Sequence, residues 1–155
     1  MADKKYDVVL FGVTGFTGKL TVEYLLKNYD NVPWAACARN QQRAEIVLKE
    51  IADSCSKPTS PPPLLTADLV CETPEQEEIL RQIVRQTRVV LTCAGPFEKY
   101  GTTLVKLCAQ EGVCYADITG ETDFFWSMIT EYDKVARDPV PSSFVTVEMT
   151  AFRKI

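Results

Sequence analysis

The sequence predicts an α/β fold, a doubly wound parallel sheet with helices on both faces. Three observations lead there. Short apolar runs suited to strands alternate with amphipathic patterns suited to helices, in the order βαβαβ and then αβαβα with a last strand. The strand runs are nearly continuous in apolar residues rather than alternating, as in parallel strands covered on both sides. The first run ends in Gly12, Gly15 and Gly18, spaced G-x-x-G-x-x-G, and a helical pattern follows. A Rossmann-like sheet uses such a turn to bring its backbone against the pyrophosphate of a dinucleotide.

Residues 6–11 form the first strand. In the turn that follows, Gly12 lets the chain leave the strand sharply, and Gly15 removes a side chain where backbone would approach a pyrophosphate. Gly18 lets the helix pack closely on the strand. The helix over 17–28 carries Leu20, Tyr24 and Leu25 on one face, and its N-terminus turns free N–H groups and a positive dipole end toward the phosphates. The same glycines also suit a βα turn without a ligand. The strand before and the helix after favour a dinucleotide site.

Trp34 to Ala38 is the second strand, after the helix stop at Asn28, Asn31 and Pro33. Arg39 stands at its end, 21 residues after Gly18. An acidic residue there would accept from the adenosine ribose hydroxyls. Arg39 offers instead a planar cation suited to a 2′-phosphate, hence NADP(H), with NAD(H) as the alternative cofactor. A solvated arginine at a strand end is the plainer reading. Asn40 is placed to cap a helix whose Ala44, Val47, Leu48 and Ile51 recur at i, i+3, i+4 and i+7. Ser54 to Pro63 reads as a loop, because prolines and short polar residues punctuate it.

Leu64 to Ala67 is a short third strand ending at Asp68, near where adenine lies in this architecture. Asp68 either accepts from the adenine amino group or forms a turn. Thr73-Pro74-Glu75-Gln76 is a helix start with a capping box, and Ile79, Leu80, Ile83 and Val84 give the buried face. Arg88 to Ala94 is the fourth strand, broken by Gly95-Pro96. By position this turn faces the first across the crevice where strand order reverses, so Gly95 gives a cofactor a side-chain-free approach or is simply a turn. Gly101 starts a helix with Leu104, Val105 and Cys108 inward, and Gly112 stops it. Tyr100 is a candidate neighbour of the nicotinamide, with packing as its plainer role.

Val113 to Asp117 is the fifth strand. Asp117 and Glu121 fall at the ligand-binding edge of the sheet, where they either orient a substrate amine or cap the next helix. That helix is expected to turn Phe125, Met128, Ile129, Tyr132 and Val135-Ala136 inward. Residues 143–152 alternate and suit an edge strand with one wet face.

Composition bounds the function. The 155 residues are 46% hydrophobic and 25% charged, enough for one domain with a real core. A net charge of -4 argues against a nucleic-acid surface. No run of about 18 apolar residues suggests a membrane span. The six cysteines lie mostly in apolar segments without a C-x-x-C pair, and histidine is absent. No metal site is expected, no Ser-His or Cys-His pair is available, and buried reduced thiols in an intracellular, cytoplasmic protein fit best. No tyrosine has a lysine four residues later, which disfavours the proton-transfer pair of short-chain dehydrogenases.

Taken together, Phe11 to Gly18, Ala38-Arg39, Asp68, Val89 to Phe97 with Tyr100-Gly101, and Tyr115 to Glu121 resemble the N-terminal domain of the saccharopine dehydrogenase-like oxidoreductases, relatives of the trans-acting enoyl reductases. The resemblance implies NAD(P) binding by Gly12, Thr14, Gly15, Phe16, Thr17, Gly18, Arg39 and Gly95. It implies hydride transfer with an unidentified, lipid-linked substrate, and it assigns no catalytic residue within this chain. It also implies a homodimer for full-length relatives and a membrane or lipid-droplet setting. Residues 1–137 would be the cofactor domain and 138–155 a divergent segment. A substrate and dimerisation domain of about two hundred residues or more is expected after such a domain and is absent here. The alternative is a non-catalytic dinucleotide-binding module or an inactive truncated fragment.

Overall fold

Five parallel strands stand in the order β3-β2-β1-β4-β5, so the strand order reverses between β1 and β4. The structure is a computed structural model describing residues 4–55 and 60–137. The elements run β1 (Tyr6–Phe11), α1 (Phe16–Asn28), β2 (Trp34–Ala38), α2 (Gln41–Ser54), β3 (Leu64–Thr66) and α3 (Pro74–Arg85). They continue through β4 (Thr87–Thr92), α4 (Phe97–Tyr100), α5 (Thr102–Glu111), β5 (Cys114–Asp117) and α6 (Thr122–Arg137). The expected edge strand over 143–152 lies outside the described residues.

β1 is central because it is apolar on both faces. Val8, Val9, Leu10 and Phe11 pair with Trp34, Ala35, Ala36 and Cys37 on one side and with Val89, Val90, Leu91 and Thr92 on the other. Leu10 and Ala36 face α1 and α2, where Val22, Leu26, Ala44 and Leu48 complete a core. Val9, Phe11, Val90 and Tyr115 face the opposite layer, packing with Leu80, Val84, Leu104 and Phe124 of α3, α5 and α6. Burying a side chain such as Val9 or Leu10 contributes about 1.5–3 kcal/mol. This sandwich therefore anchors the sheet whose carboxyl edge carries the loops.

The end signals act as the sequence leads one to expect. The Asn40 side chain accepts from the backbone N–H of Arg43 at 2.9 Å. Thr73 and Gln76 form the reciprocal capping box. Gly112 takes the left-handed conformation, φ 63°, at the end of α5. A single turn of helix, α4, separates Gly95-Pro96 from α5.

Three helix faces differ from expectation. In α1 the buried residues are Gly18, Val22 and Leu26, while Leu20 and Tyr24 are exposed. Gly18 draws this helix so close to β1 that only the stripe beneath it can be covered, and the larger residues are left outside. In α3, Ile79 is exposed while Leu80, Ile83 and Val84 are buried. In α6 the buried residues are Phe124, Met128 and Ala136, and Val135 is exposed. Phe124 takes the inward place because it fills the space left by Gly101, where a β-carbon would lie 2.6 Å from the Phe124 ring.

Candidate functional site

At the carboxyl edge of the sheet, over the point where strand order reverses, lies a cleft of about 440 Å³. Segments distant in sequence meet in it: Phe11 to Gly15, Cys37 to Arg43, Ala67 to Leu69, and Cys93 to Tyr100. This is where ligands bind in open α/β sheets. Gly12, Thr14, Gly15, Arg39, Asp68 and Gly95 line it. Phe16, Thr17 and Gly18 belong to the first turn of α1 and stand outside that lining, Phe16 with 83% of its surface exposed.

The three glycines do different work. Gly12 has φ 82°, and a β-carbon there would lie 2.8 Å from the backbone nitrogen of Ala94. It lets the β1 and β4 loops touch, and the Cys93 N–H donates to the Phe11 carbonyl at 3.0 Å. Gly18 is filled from below, because its β-carbon would meet the Gly12 carbonyl oxygen at 2.0 Å. Gly15 is different. A β-carbon there would meet only the Gly12 oxygen, at an ordinary 3.4 Å, and Gly15 has φ -80°. Nothing in the packing requires glycine, so the space over it is open to a ligand. α1 begins there with no side-chain cap and no acidic residue in its first turn. Its N–H groups and dipole are therefore available to an anion.

The β2 rim is cationic. Arg39, Asn40 and Arg43 line it, and the two guanidiniums are in no ion pair among the described residues. By contrast, Arg81 and Arg85 are tied to Glu111 at 2.8 and 2.7 Å. Arg43 is brought to the rim by the Asn40 cap. Its spacing in the sequence gives no sign of this, because the capped first turn of α2 decides which residues overlook β2. Asp68, just after the neighbouring β3, also lines the cleft and is exposed; its Oδ1 already accepts from Val70 N–H at 3.0 Å, the turn geometry of a short acidic residue. The carboxylate thus makes the turn, and the residue lines the cleft.

On the β4 side, Gly95, Pro96 and Tyr100 form the wall. Two cysteines, Cys37 and Cys93, are among the lining residues. Burial pushes the Cys37 thiol up to about 12 and raises that of Cys93, whose Sγ lies 3.7 Å from the Thr21 hydroxyl. Both stay protonated near neutral pH and are not nucleophiles. Among the described residues no cluster of metal-ligating side chains is placed to hold an ion.

Asp117 and Glu121 stand outside the cleft lining. Buried Asp117 accepts from the Tyr115 hydroxyl at 2.8 Å and from Thr119 N–H at 3.0 Å. Burial and the neighbouring carboxylate push the Tyr115 phenol up, which keeps it a donor. Glu121 accepts from the backbone N–H groups of Phe97 at 2.7 Å and Glu98 at 2.8 Å. Of the two roles open to it in the sequence, Glu121 takes the capping one, but on α4 rather than on α6.

Residues 8–141 match the family described as the saccharopine dehydrogenase NADP binding domain. A trans-acting enoyl reductase of Mycobacterium ulcerans (strain Agy99) is 36% identical over 137 residues, 88% of this chain and 31% of that protein. A lipid droplet localized protein of Caenorhabditis elegans is 32% identical over 136 residues, 86% of this chain and 31% of that one. The chain thus spans under a third of the length of these relatives. The Citrobacter sp. triphenylmethane reductase complexed with NADP(H) shares the fold, with a TM-score of 0.59 at 19% identity over 83% of this chain and 46% of that one. Among the described residues no helix is long and apolar enough to cross a membrane. With its parallel sheet, glycine turn and cleft, the chain belongs to the saccharopine dehydrogenase NADP binding domain family and is an NADP(H)-binding, oxidoreductase-like Rossmann domain.

Proposed function

We propose that this chain is the cofactor-holding part of an oxidoreductase that moves a hydride to or from a C=C, C=N or C=O group. The observation that carries this is the convergence of the glycine turn, the Arg39–Arg43 rim and the Gly95–Tyr100 wall on one cleft, with open space over Gly15. Gly12, Thr14, Gly15 and the start of α1 hold the pyrophosphate through backbone N–H groups, while Thr17 and Gly18 serve by forming that helix start. Arg39 takes the 2′-phosphate, with Arg43 as a second cation. Asp68 accepts from the adenine amino group. Gly95 leaves room for the central riboses, and Tyr100 borders the nicotinamide. Exposed Phe16 flanks the pyrophosphate turn. Once bound, the nicotinamide supplies the hydride chemistry; the chain's own residues bind it, orient it and keep its two ends apart.

A lipid-linked substrate is the finer part of the proposal. It is supported by the resemblance and by the names of the enoyl reductase and lipid droplet relatives. Lipid-droplet or membrane association and a homodimer are proposed for longer family members on the same resemblance. Titration of the purified chain with NADPH and NADH, followed by nicotinamide fluorescence, tests the cofactor reading. Tighter binding of NADPH, lost selectively in Arg39→Ala, is expected. A folded chain that binds neither overturns it.

A further inference from the structure

We infer that Glu121 is a positioning residue for the nicotinamide end of the cleft, acting through the 95–100 segment; this rests on the NADP(H) reading above. Both oxygens of its carboxylate are committed, Oε1 to Phe97 N–H at 2.7 Å and Oε2 to Glu98 N–H at 2.8 Å. These are charge-assisted bonds to a segment more than twenty residues away. The segment is clamped on its other side as well. Phe97 is buried against the Phe124 ring, with centroids 6.3 Å apart, and Phe124 fills the space at Gly101. Between these two holds, Gly95, Pro96 and Tyr100 are left facing the cleft.

Glu121 is itself held. Its N–H donates to the Thr119 hydroxyl at 3.0 Å, Thr119 N–H donates to Asp117 at 3.0 Å, and the Tyr115 hydroxyl donates to the same carboxylate at 2.8 Å. Buried β5 is thus connected by successive hydrogen bonds to one wall of the cleft. The opposite rim, Arg39 to Arg43, is fixed by β2 and the Asn40 cap and shares none of these bonds. The consequence is a division of labour. Loosening Glu121 disturbs the wall that meets the nicotinamide half and leaves the adenosine half of the site intact.

The test uses the full chain and two probes, NADPH and 2′,5′-ADP, the latter carrying only the adenosine and its phosphates. Glu121→Gln keeps the shape, removes the charge and leaves only one acceptor oxygen for the two N–H groups. NADPH affinity is expected to fall about tenfold, the effect of losing a charge-assisted pair, while 2′,5′-ADP affinity stays within about twofold, a shift well below one such bond. Equal losses for both probes, or no loss for either, overturn the inference. Wild-type chain that binds neither probe overturns the cofactor reading itself, and this inference with it. Wild-type hydrogen exchange gives an arm free of any folding defect in the variant. NADPH, but not 2′,5′-ADP, is expected to slow exchange of the Phe97 and Glu98 amides. Identical exchange with both probes counts against the inference.

Discussion

Gly18 lies directly over Gly12: a β-carbon on Gly18 would stand 2.0 Å from the Gly12 carbonyl oxygen and 2.9 Å from the α-carbon of Val13. The start of α1 is therefore pressed onto the end of β1 by backbone, not by side chains. Gly15, three residues earlier, carries no such load.

This contrast separates the two substitutions. Gly18→Ala forces backbone apart and is expected to destabilise the domain by about 1–3 kcal/mol or more. Gly15→Ala adds a methyl group in open space at a φ that alanine adopts freely, and is expected to leave stability unchanged or raise it by about 0.4–1 kcal/mol. Yet Gly15→Ala is expected to weaken NADPH binding at least about tenfold, by placing that methyl group where the pyrophosphate approaches. Thermal melts without ligand and fluorescence titrations check the pair. Unaltered NADPH affinity in Gly15→Ala would show that nothing occupies that space.

The order of elements was legible because β1, β2 and β4 are too apolar to be half-buried, and because the glycine turn marks where the strand order reverses. The buried face of α1 was not. Leu20 and Tyr24 form as good a stripe as Val22 and Leu26, and the choice is made by Gly18, whose contact with Gly12 turns its own stripe inward. Phe124 and Phe125 are likewise equivalent to any periodicity, and only the empty side-chain position at Gly101 decides between them. In the cleft, Arg39 could be read from its distance to the glycines because a strand end is a fixed place. Arg43 depends on how the first turn of α2 is set, and Glu121 on a partner segment more than twenty residues away, so neither role has a local signature.

The layer of α3 and α5 is tied by Glu111, whose carboxylate takes Arg81 at 2.8 Å and Arg85 at 2.7 Å. Hydrogen bonding to Arg85, opposed by partial burial, holds Glu111 below the usual carboxylate range. A depressed carboxylate contributes stability that is present above its unfolded pKa, about 4.3, and is lost as pH falls through the folded value. Glu111→Gln is expected to cost about 1 kcal/mol at pH 7, the upper end for ion pairs that solvent still reaches. The difference from wild type is expected to shrink below about pH 4.3. Urea denaturation at neutral and acidic pH measures it, and a gap that widens on acidification would contradict the assignment.

Gly112 offers a control at the opposite edge of the sheet. It stops α5 at φ 63° and ψ 40°, and its N–H donates to the Cys108 carbonyl. An L-residue in this conformation costs about 1–2 kcal/mol. Gly112→Ala should therefore be less stable than wild type by about that free energy and bind NADPH with unchanged affinity at a temperature where it is folded. An affinity loss comparable to that of Gly15→Ala would mean that general loosening, not the cleft, governs binding.

Arg39 and Arg43 stand together on the β2 rim of the cleft. Neither guanidinium is in an ion pair among the described residues, so neither charge is already compensated. A 2′-phosphate would supply the missing acceptor, and a planar guanidinium binds it through two parallel bonds. Arg39→Ala is expected to weaken NADPH at least about tenfold, the value of a charge-assisted hydrogen bond, with NADH little changed. Arg43→Ala is expected to act in the same direction and more weakly, because it reaches the rim from the first turn of α2 rather than from the end of β2. Arg39→Lys keeps the charge and loses the paired geometry, so it separates the two contributions. Full rescue would mean that charge alone selects NADPH, and partial rescue that the planar fork contributes as well. Titration of the variants with both nucleotides reads all of this. An equal loss of NADPH and NADH in Arg39→Ala would remove the 2′-phosphate from the account and leave Arg39 as a general support of the adenosine end.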